Sequence, residues 1–279
     1  MSWLWASFRM FFHNRLTFLV NYWLDLIETG RSDKHLKKSF AMNLQKILYL
    51  FCFGFGFVYC AQVASAEVSQ HKYNVYVSGL KVGELDYAVN TKGSAYSIRA
   101  LMRSTGIVGA FKKYRYEGLA MGRTNKGNFF PQKYAENSDT GNRKSNKEMV
   151  YKNGIPRLTQ SEDRKDHWLD PKTQKNTADP LSAIYGLLSD QPLENPCTQN
   201  ITVYDGARRY SIKLVSSQID GTEMSCQGIF TRLGGYSEKE LSQGIEFPFE
   251  LKFSKQDNVF RIDRFVMSTL LGRASFVRQ

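Results

Sequence analysis

Chemistry in this chain would have to begin with His71 and His167, the only imidazoles downstream of residue 66, or with two basic–aromatic clusters. The histidines lie far apart, and neither sits in the H-x-x-H or H-E-x-x-H spacing that would hold zinc. A nucleophilic triad is defined in space rather than by order, so Asp166 and Asp170 beside His167 are the natural carboxylate candidates. Yet EDRKDHWLDPKTQKN (162–176) is polar throughout and reads as a solvated hairpin or loop, with His167 at the surface. There is no G-x-S-x-G elbow and no phosphate-binding glycine loop. These residues point away from an enzyme and imply no metal and no cofactor.

The clusters are FKKYRYE (111–117) and YDGARRY (204–210). Cations interleaved with aromatic rings can clamp a phosphate or a sugar by charge and stacking, which makes Lys112, Lys113, Arg115, Arg208 and Arg209 candidate anion contacts. A half-buried strand with a basic outer face has the same composition, and that reading ranks first. Tyr73 and Tyr96 join the candidates because they belong to strand-like alternation and can face an interior that accepts a ligand.

The elements that would position these residues are strands. Period-two alternation dominates from Lys72 onward: Tyr73, Val75, Val77; Leu85, Tyr87, Val89; Tyr96, Ile98, Ala100, Met102; Tyr210, Ile212, Leu214; Phe247, Phe249, Leu251, Phe253. One polar and one apolar face means antiparallel strands covering a core on one side. Asn153-Gly154 and Asp220-Gly221 are two-residue hairpin signals, and Lys126-Gly127-Asn128 separates two more extended runs. The glycines of STGIVGA (104–110) should bend the chain between strands. The expected fold is mainly β: an antiparallel meander forming a curved sheet or barrel, with one short helix packed on it. That helix is TADPLSAIYGLLSD, where Asp179 caps a first turn begun by Pro180 and Leu181, Ile184, Tyr185 and Leu188 share a face.

Residues 42–66 carry an export pattern. Lys46 supplies a basic start, Ile47 to Ala61 an uncharged apolar run, and Ala64-Ser65-Ala66 a small-x-small cleavage site. The apolar core is shorter than the roughly 20 residues a membrane span needs. Tyr59 before Cys60 speaks against a lipidation site. Residues 1–41 are then expected to be an upstream extension misassigned to the chain, with Met42 as the start. Cleavage after Ala66 would leave a single exported domain, 67–279, in the periplasm, touching the membrane only through its signal. Of the 38 Lys/Arg and 26 Asp/Glu, seven and three precede Glu67, which leaves a net charge of +8. An exported basic protein rarely meets nucleic acid, so a lipid or another anionic envelope component is the expected partner.

Cys197 and Cys226 are the two cysteines beyond the cleavage site. In an oxidising compartment two cysteines pair, and a meander that makes ITVYD, RYSIKLV and MSCQGIF neighbours brings these two within reach. No C-x-x-C spacing argues for redox chemistry.

Six segments in order resemble a bacterial exported family known as domain of unknown function 3108. They are YNVYVSGLKVGE with Tyr73, Gly79 and Gly83, STGIVGAF, FFPQKY with Pro131 and Tyr134, DPLSAIYGLL, YDGARRY and LLGRASF. Residues 1–66 lie outside the resemblance, and SDTGNRKSNKE (138–148) matches it little. The resemblance implies an exported β-rich envelope protein and supplies no reaction. Three functions compete: a carrier that encloses a lipid-like or other apolar ligand, an assembly protein acting through contacts with other envelope proteins, and, ranked last, a hydrolase whose site no motif reveals. A cavity of several hundred cubic ångströms favours the first, a filled core with an uncovered strand edge the second.

Overall fold

The computed structural model describes residues 66–111, 113–160, 164–269 and 272–279. The expected signal (42–66) lies outside these residues except for Ala66, as do the expected upstream extension (1–41) and Lys112.

Fourteen strands form a single sheet. They are β1 (Glu67–Val77), β2 (Leu80–Lys92), β3 (Ala95–Ser104), β4 (Arg115–Asn125), β5 (Asn128–Asp139), β6 (Lys144–Lys152), β7 (Ile155–Gln160), β8 (Gln191–Pro192), β9 (Asn200–Tyr204), β10 (Arg209–Asp220), β11 (Glu223–Gly234), β12 (Glu246–Gln256), β13 (Val259–Thr269) and β14 (Gly272–Arg278). Three helices interrupt them: α1 (Gly106–Phe111), α2 (Pro180–Leu188) and α3 (Glu238–Leu241). The strands run as two meanders, β1 to β7 and β9 to β14, and β1 joins them by pairing antiparallel with β14 (Tyr73 opposite Arg278, Val77 opposite Ala274). The sheet is therefore antiparallel and curved, as its alternation requires.

The hairpins follow from their turn residues. Ser78-Gly79, Lys126-Gly127 and Asn153-Gly154 all hold positive φ at both positions, the backbone of a type I′ turn. Where a strand must bend, the ladder slips by a residue, at Val75/Tyr76, Met121/Gly122 and Lys252/Phe253.

The two sheet edges, β7 and β9, are bridged by the chain between them. Asn176 donates its N–H to Gly154 O in the β6–β7 turn (2.8 Å), while Ala178 exchanges backbone bonds with Thr202 and Tyr204 in β9 (2.8 and 3.0 Å). Leu169 N–H reaches Ala207 O (3.0 Å). The polar run around His167 is thus a loop with a 3₁₀ turn (Pro171–Thr173), but Gln174 within it is buried, as are Thr177–Asp179 that follow it. The STGIVGA glycines do more than bend the chain, since Gly106–Phe111 forms the short helix α1.

Helix α2 lies on the inner face of β3, β4, β5 and β9. Asp179 caps it, accepting from Leu181 N and Ser182 N (3.0 Å each), and Pro180 takes the first position. Leu181, Ala183, Leu187 and Leu188 are buried in one core with Tyr73, Val89, Ile98, Tyr134, Leu251, Phe253 and Ile262. The Cys197–Cys226 disulfide (Cα–Cα 5.7 Å) ties the chain leaving α2 to the inner face of β11.

Candidate functional site

Successive connections alternate between the two ends of the sheet. One end carries the Ser78-Gly79 turn, α1, the 140–143 turn, the 205–208 turn and α3. At this end a cavity of ≈ 510 Å³ opens between the inner faces of β2–β6, helix α2, Tyr210 on β10 and Phe276 on β14. Its floor is apolar: Leu85, Ile98, Ala100, Leu181 and Ile184, with Tyr87. Small residues make the room. Ala100 faces Gly118 across the β3–β4 pair, and a Cβ on Gly118 would stand 2.7 Å from Leu181 Cδ1.

Toward the mouth the inner positions of β5 and β6 turn polar, from Tyr134 and Met149 to Glu136, Ser138, Lys147 and Ser145. Glu136 is held from two sides. It accepts a short hydrogen bond from Tyr134 Oη and pairs with Lys147 Nζ at 3.0 Å, both charged side chains being 16% exposed. Tyr116 Oη lies 3.2 Å from Tyr134 Oη, extending the polar chain into the cavity. Burial, reinforced by neighbouring tyrosine and carboxylate, pushes the Tyr134 phenol well above its ordinary range, and burial does the same to Tyr116 and Tyr210. These rings are hydrogen-bonding walls and stay neutral.

Arg208 is positioned by the far meander. Its Nη2 bonds Glu240 Oε1 at 2.7 Å, and its guanidinium stacks over Tyr236 at 5.6 Å. Glu240 in turn closes the α3 capping box with Ser237. Burial works to raise the Glu240 carboxyl, but hydrogen bonds from Ser237 and Arg208 outweigh it and bring the pKa to about 2, so the pair stays ionised. Asp205 Oδ1 accepts from Ala207 N and Arg208 N (2.9 and 2.7 Å), fixing the turn. The mouth thus carries three cations, Arg143, Lys147 and Arg208, against two carboxylates, Glu136 and Asp205.

The two basic–aromatic clusters converge here, but by a different subset than their cations suggest. Tyr114 and Tyr116 from the first, and Asp205, Arg208 and Tyr210 from the second, line the cavity. Lys113 is exposed outside it, Arg115 pairs with Glu117 among exposed side chains, and Arg209 is half-buried beyond the lining. Tyr73 and Tyr96 face inward but stand in packed core, Tyr96 hydrogen-bonded to Ser182 Oγ at 2.6 Å; neither lines the cavity. A larger depression, ≈ 800 Å³, crosses the outer face of β1–β7, where Asp86, Arg99, Glu117 and Glu148 face solvent. It is a concave sheet surface, and the inner cavity is enclosed on more sides. Sequence reasoning missed Glu136 and Lys147, which sit beside and within the polar stretch 138–148 that matches the family resemblance little. Their inward parity with Tyr134 and Met149 was the available signal.

These features define a barrel-like β protein with an internal cavity open at one end. The family model described as "Protein of unknown function (DUF3108)" matches residues 72–221, more than half of the chain, and the chain belongs to that family. The match spans every residue of the cavity except Phe276. Among solved structures, a β-barrel-like protein of domain of unknown function DUF1849 from Brucella abortus is similar at 10% identity and a TM-score of 0.43, over 75% of this chain and 94% of that one. No curated protein matches the chain.

Proposed function

We propose that the chain is an exported envelope protein of the periplasm that binds a lipid-like amphiphile in the barrel cavity and performs no catalysis. One observation carries this reading: a cavity within the 300–1,000 Å³ range typical of ligand sites joins an apolar floor to a cationic mouth. The acyl portion would lie against Leu85, Ile98, Leu181 and Ile184, and an anionic end group among Arg143, Lys147 and Arg208. Export is supported by the ordered signal pattern and by a disulfide suited to an oxidising compartment. Among the described residues no helix is long and apolar enough to cross a membrane.

The test is thermal unfolding with a panel of fatty acids and lysophospholipids. A ligand at about 100 times its Kd adds about 2.7 kcal/mol, or roughly 5–10 °C for a domain of this size. Ala100→Phe, which fills the floor, and Arg208→Gln, which removes a mouth cation, should each reduce the shift while the fold persists by circular dichroism. No shift across the panel refutes the reading. A second reading, an assembly protein, draws on one feature. Among the described residues β10 pairs on one side only beyond Leu214, leaving Val215 and Ile219 half exposed along a bare edge. Co-purification of a protein lost on Ser217→Pro, with an empty cavity by native mass spectrometry, would favour it.

A further inference from the structure

The end of the barrel that opens the cavity also carries the most exposed apolar side chain of those described, Phe111 at 89%. It closes helix α1, whose sequence GIVGAF has no polar side chain over six residues. A large aromatic ring held in water is informative where a scattered leucine is not. Leu80, at 53% exposure, is on β2, the strand that α1 packs against, and Thr105 just before α1 donates its N–H to Val82 O (3.2 Å). Across the mouth Leu241 and Ile245 are exposed at 39% and 51%. Three residues beyond Phe111, Tyr114 lines the cavity, so the apolar rim and the cavity wall are continuous.

Around this rim the charge is positive. Lys81, Lys113, Arg115, Arg143, Lys144 and Arg273 stand at the same end; Glu84, Glu117 and Asp139 pair with Lys81, Arg115 and Lys144, and Glu238, Glu240 and Glu246 lie around α3, so the excess of cations is on the side of α1. A single apolar anchor gives only marginal membrane binding, and a basic patch beside it supplies the second attraction that holds a protein on anionic lipid. The anchor is small, one exposed ring with the exposed Lys113 two residues on. That arrangement suits a headgroup layer, where lysine stems can snorkel.

We propose that this end docks on an anionic lipid surface. Phe111 enters the boundary between headgroups and acyl chains, the surrounding cations meet phosphates, and the cavity mouth faces the membrane. The inference rests on the reading of the cavity as an amphiphile site, because a site for a membrane-borne ligand must meet the membrane.

Flotation of the full chain with vesicles of phosphatidylethanolamine and phosphatidylglycerol tests it. Phe111→Ser should weaken binding by about tenfold or more, the order expected for withdrawing an aromatic ring from an apolar phase. Phe130→Ser, equally apolar and 53% exposed but at the opposite end, should bind as the unaltered chain does. In a second measurement Phe111→Trp is quenched by brominated lipid and Phe130→Trp is not, which reports position whatever residues 1–66 contribute. Equal binding by the two serine variants, equal quenching of the two tryptophans, or no binding of the unaltered chain overturns the proposal. A monomeric lysophospholipid separates this from the cavity reading. If docking alone fails, the unaltered chain is still stabilised by it. If the cavity reading fails, that stabilisation is absent while the Phe111→Ser contrast on vesicles persists.

Discussion

Asp179 gives the sharpest prediction, because it is a fully buried carboxylate held only by neutral donors. It is 0% exposed, and its oxygens accept from Leu181 N, Ser182 N and the Ser182 hydroxyl, which meets Tyr96 Oη at 2.6 Å. Burial raises its pKa from 3.8 to about 6, with the hydrogen bonds it accepts acting in the opposite sense. A folded pKa above the unfolded one means that the folded state holds the proton more tightly. The stability this confers is full below about pH 4 and is lost as pH rises through about 6. A shift of about two units corresponds to about 3 kcal/mol, of which roughly 1–2 kcal/mol should be lost between pH 5 and pH 8. Asp179→Asn removes the titration and keeps the cap, since asparagine caps as well as aspartate. Its Nδ2 can donate to Ser182 Oγ, which then donates to Tyr96, both hydroxyls being free to reverse direction. Urea unfolding at fixed salt from pH 5 to pH 8 should therefore show the variant gaining on the parent by roughly 1–2 kcal/mol across the range. A gap that stays constant with pH, or one that closes as pH rises, refutes the burial argument. Asp179→Ala also lacks the titration and should follow the same pH slope as Asp179→Asn, but lie below it by about 0.5–2 kcal/mol at every pH, because the cap itself is gone.

The disulfide closes a loop of sequence separation 29, so Cys197→Ser with Cys226→Ser should cost about 3–4 kcal/mol; urea midpoints that agree within error with and without reductant would refute this. Gly118→Ala places a Cβ 2.7 Å from Leu181 Cδ1 and 2.8 Å from Tyr116 Oη, and should cost about 1–3 kcal/mol by the same assay. An unchanged midpoint would mean that α2 can shift away from β4. Lys147→Met strips Glu136 of its cation where both are 16% exposed, and should destabilise by about 1–3 kcal/mol. Adding Glu136→Gln should recover most of that loss, and failure to do so would show that the pair is not acting as a unit.

What could be read in the sequence was what is local. The turn at Asn153-Gly154 needs positive φ at both positions, which Asn and Gly supply at little cost, and at Lys126-Gly127 the glycine marks the same turn. The cap and first residue of α2 are likewise fixed by adjacent residues, Asp179 and Pro180. The disulfide was legible because a meander makes sequence neighbours into sheet neighbours. The β1–β14 pairing joins the two ends of the domain, and no local preference encodes it. The edge-bridging segment hid behind its composition. Gln174 and Thr177 are polar but buried, with Thr177 Oγ1 donating to Gln174 O at 2.9 Å, so a stretch that reads as solvated forms part of the wall. At the cavity the clusters were visible but their facing was not drawn from them. Strand parity sends Tyr114 and Tyr116 one way and Lys113 and Arg115 the other, and it is the tyrosines that face in. The capping box that holds Arg208 was written in Ser237-x-x-Glu240 and went unread.

The cavity opens at one end because the chain fills the other. The chain before α2 passes the Gly154 turn, and the helix runs from the cavity back toward that side, where Leu187 and Leu188 are buried in the core. The residues after it are pinned there too: Gln191, 1% exposed, accepts from Cys197 N at 3.1 Å, β8 adds to β13, and Cys197 is bonded to β11. Among the described residues nothing comparable enters from the side of α1. A wholly apolar inner face there would close by moving its side chains together, as cores do. Instead Glu136, Ser138, Ser145 and Lys147 occupy the inward positions of β5 and β6, and their hydrogen-bonding groups must keep access to water or to a polar partner. Replacing them by leucine should stabilise the fold and abolish the cavity. Their presence is therefore a cost in stability that a purely structural barrel would have no reason to carry, and it is the strongest physical ground for placing function at this end.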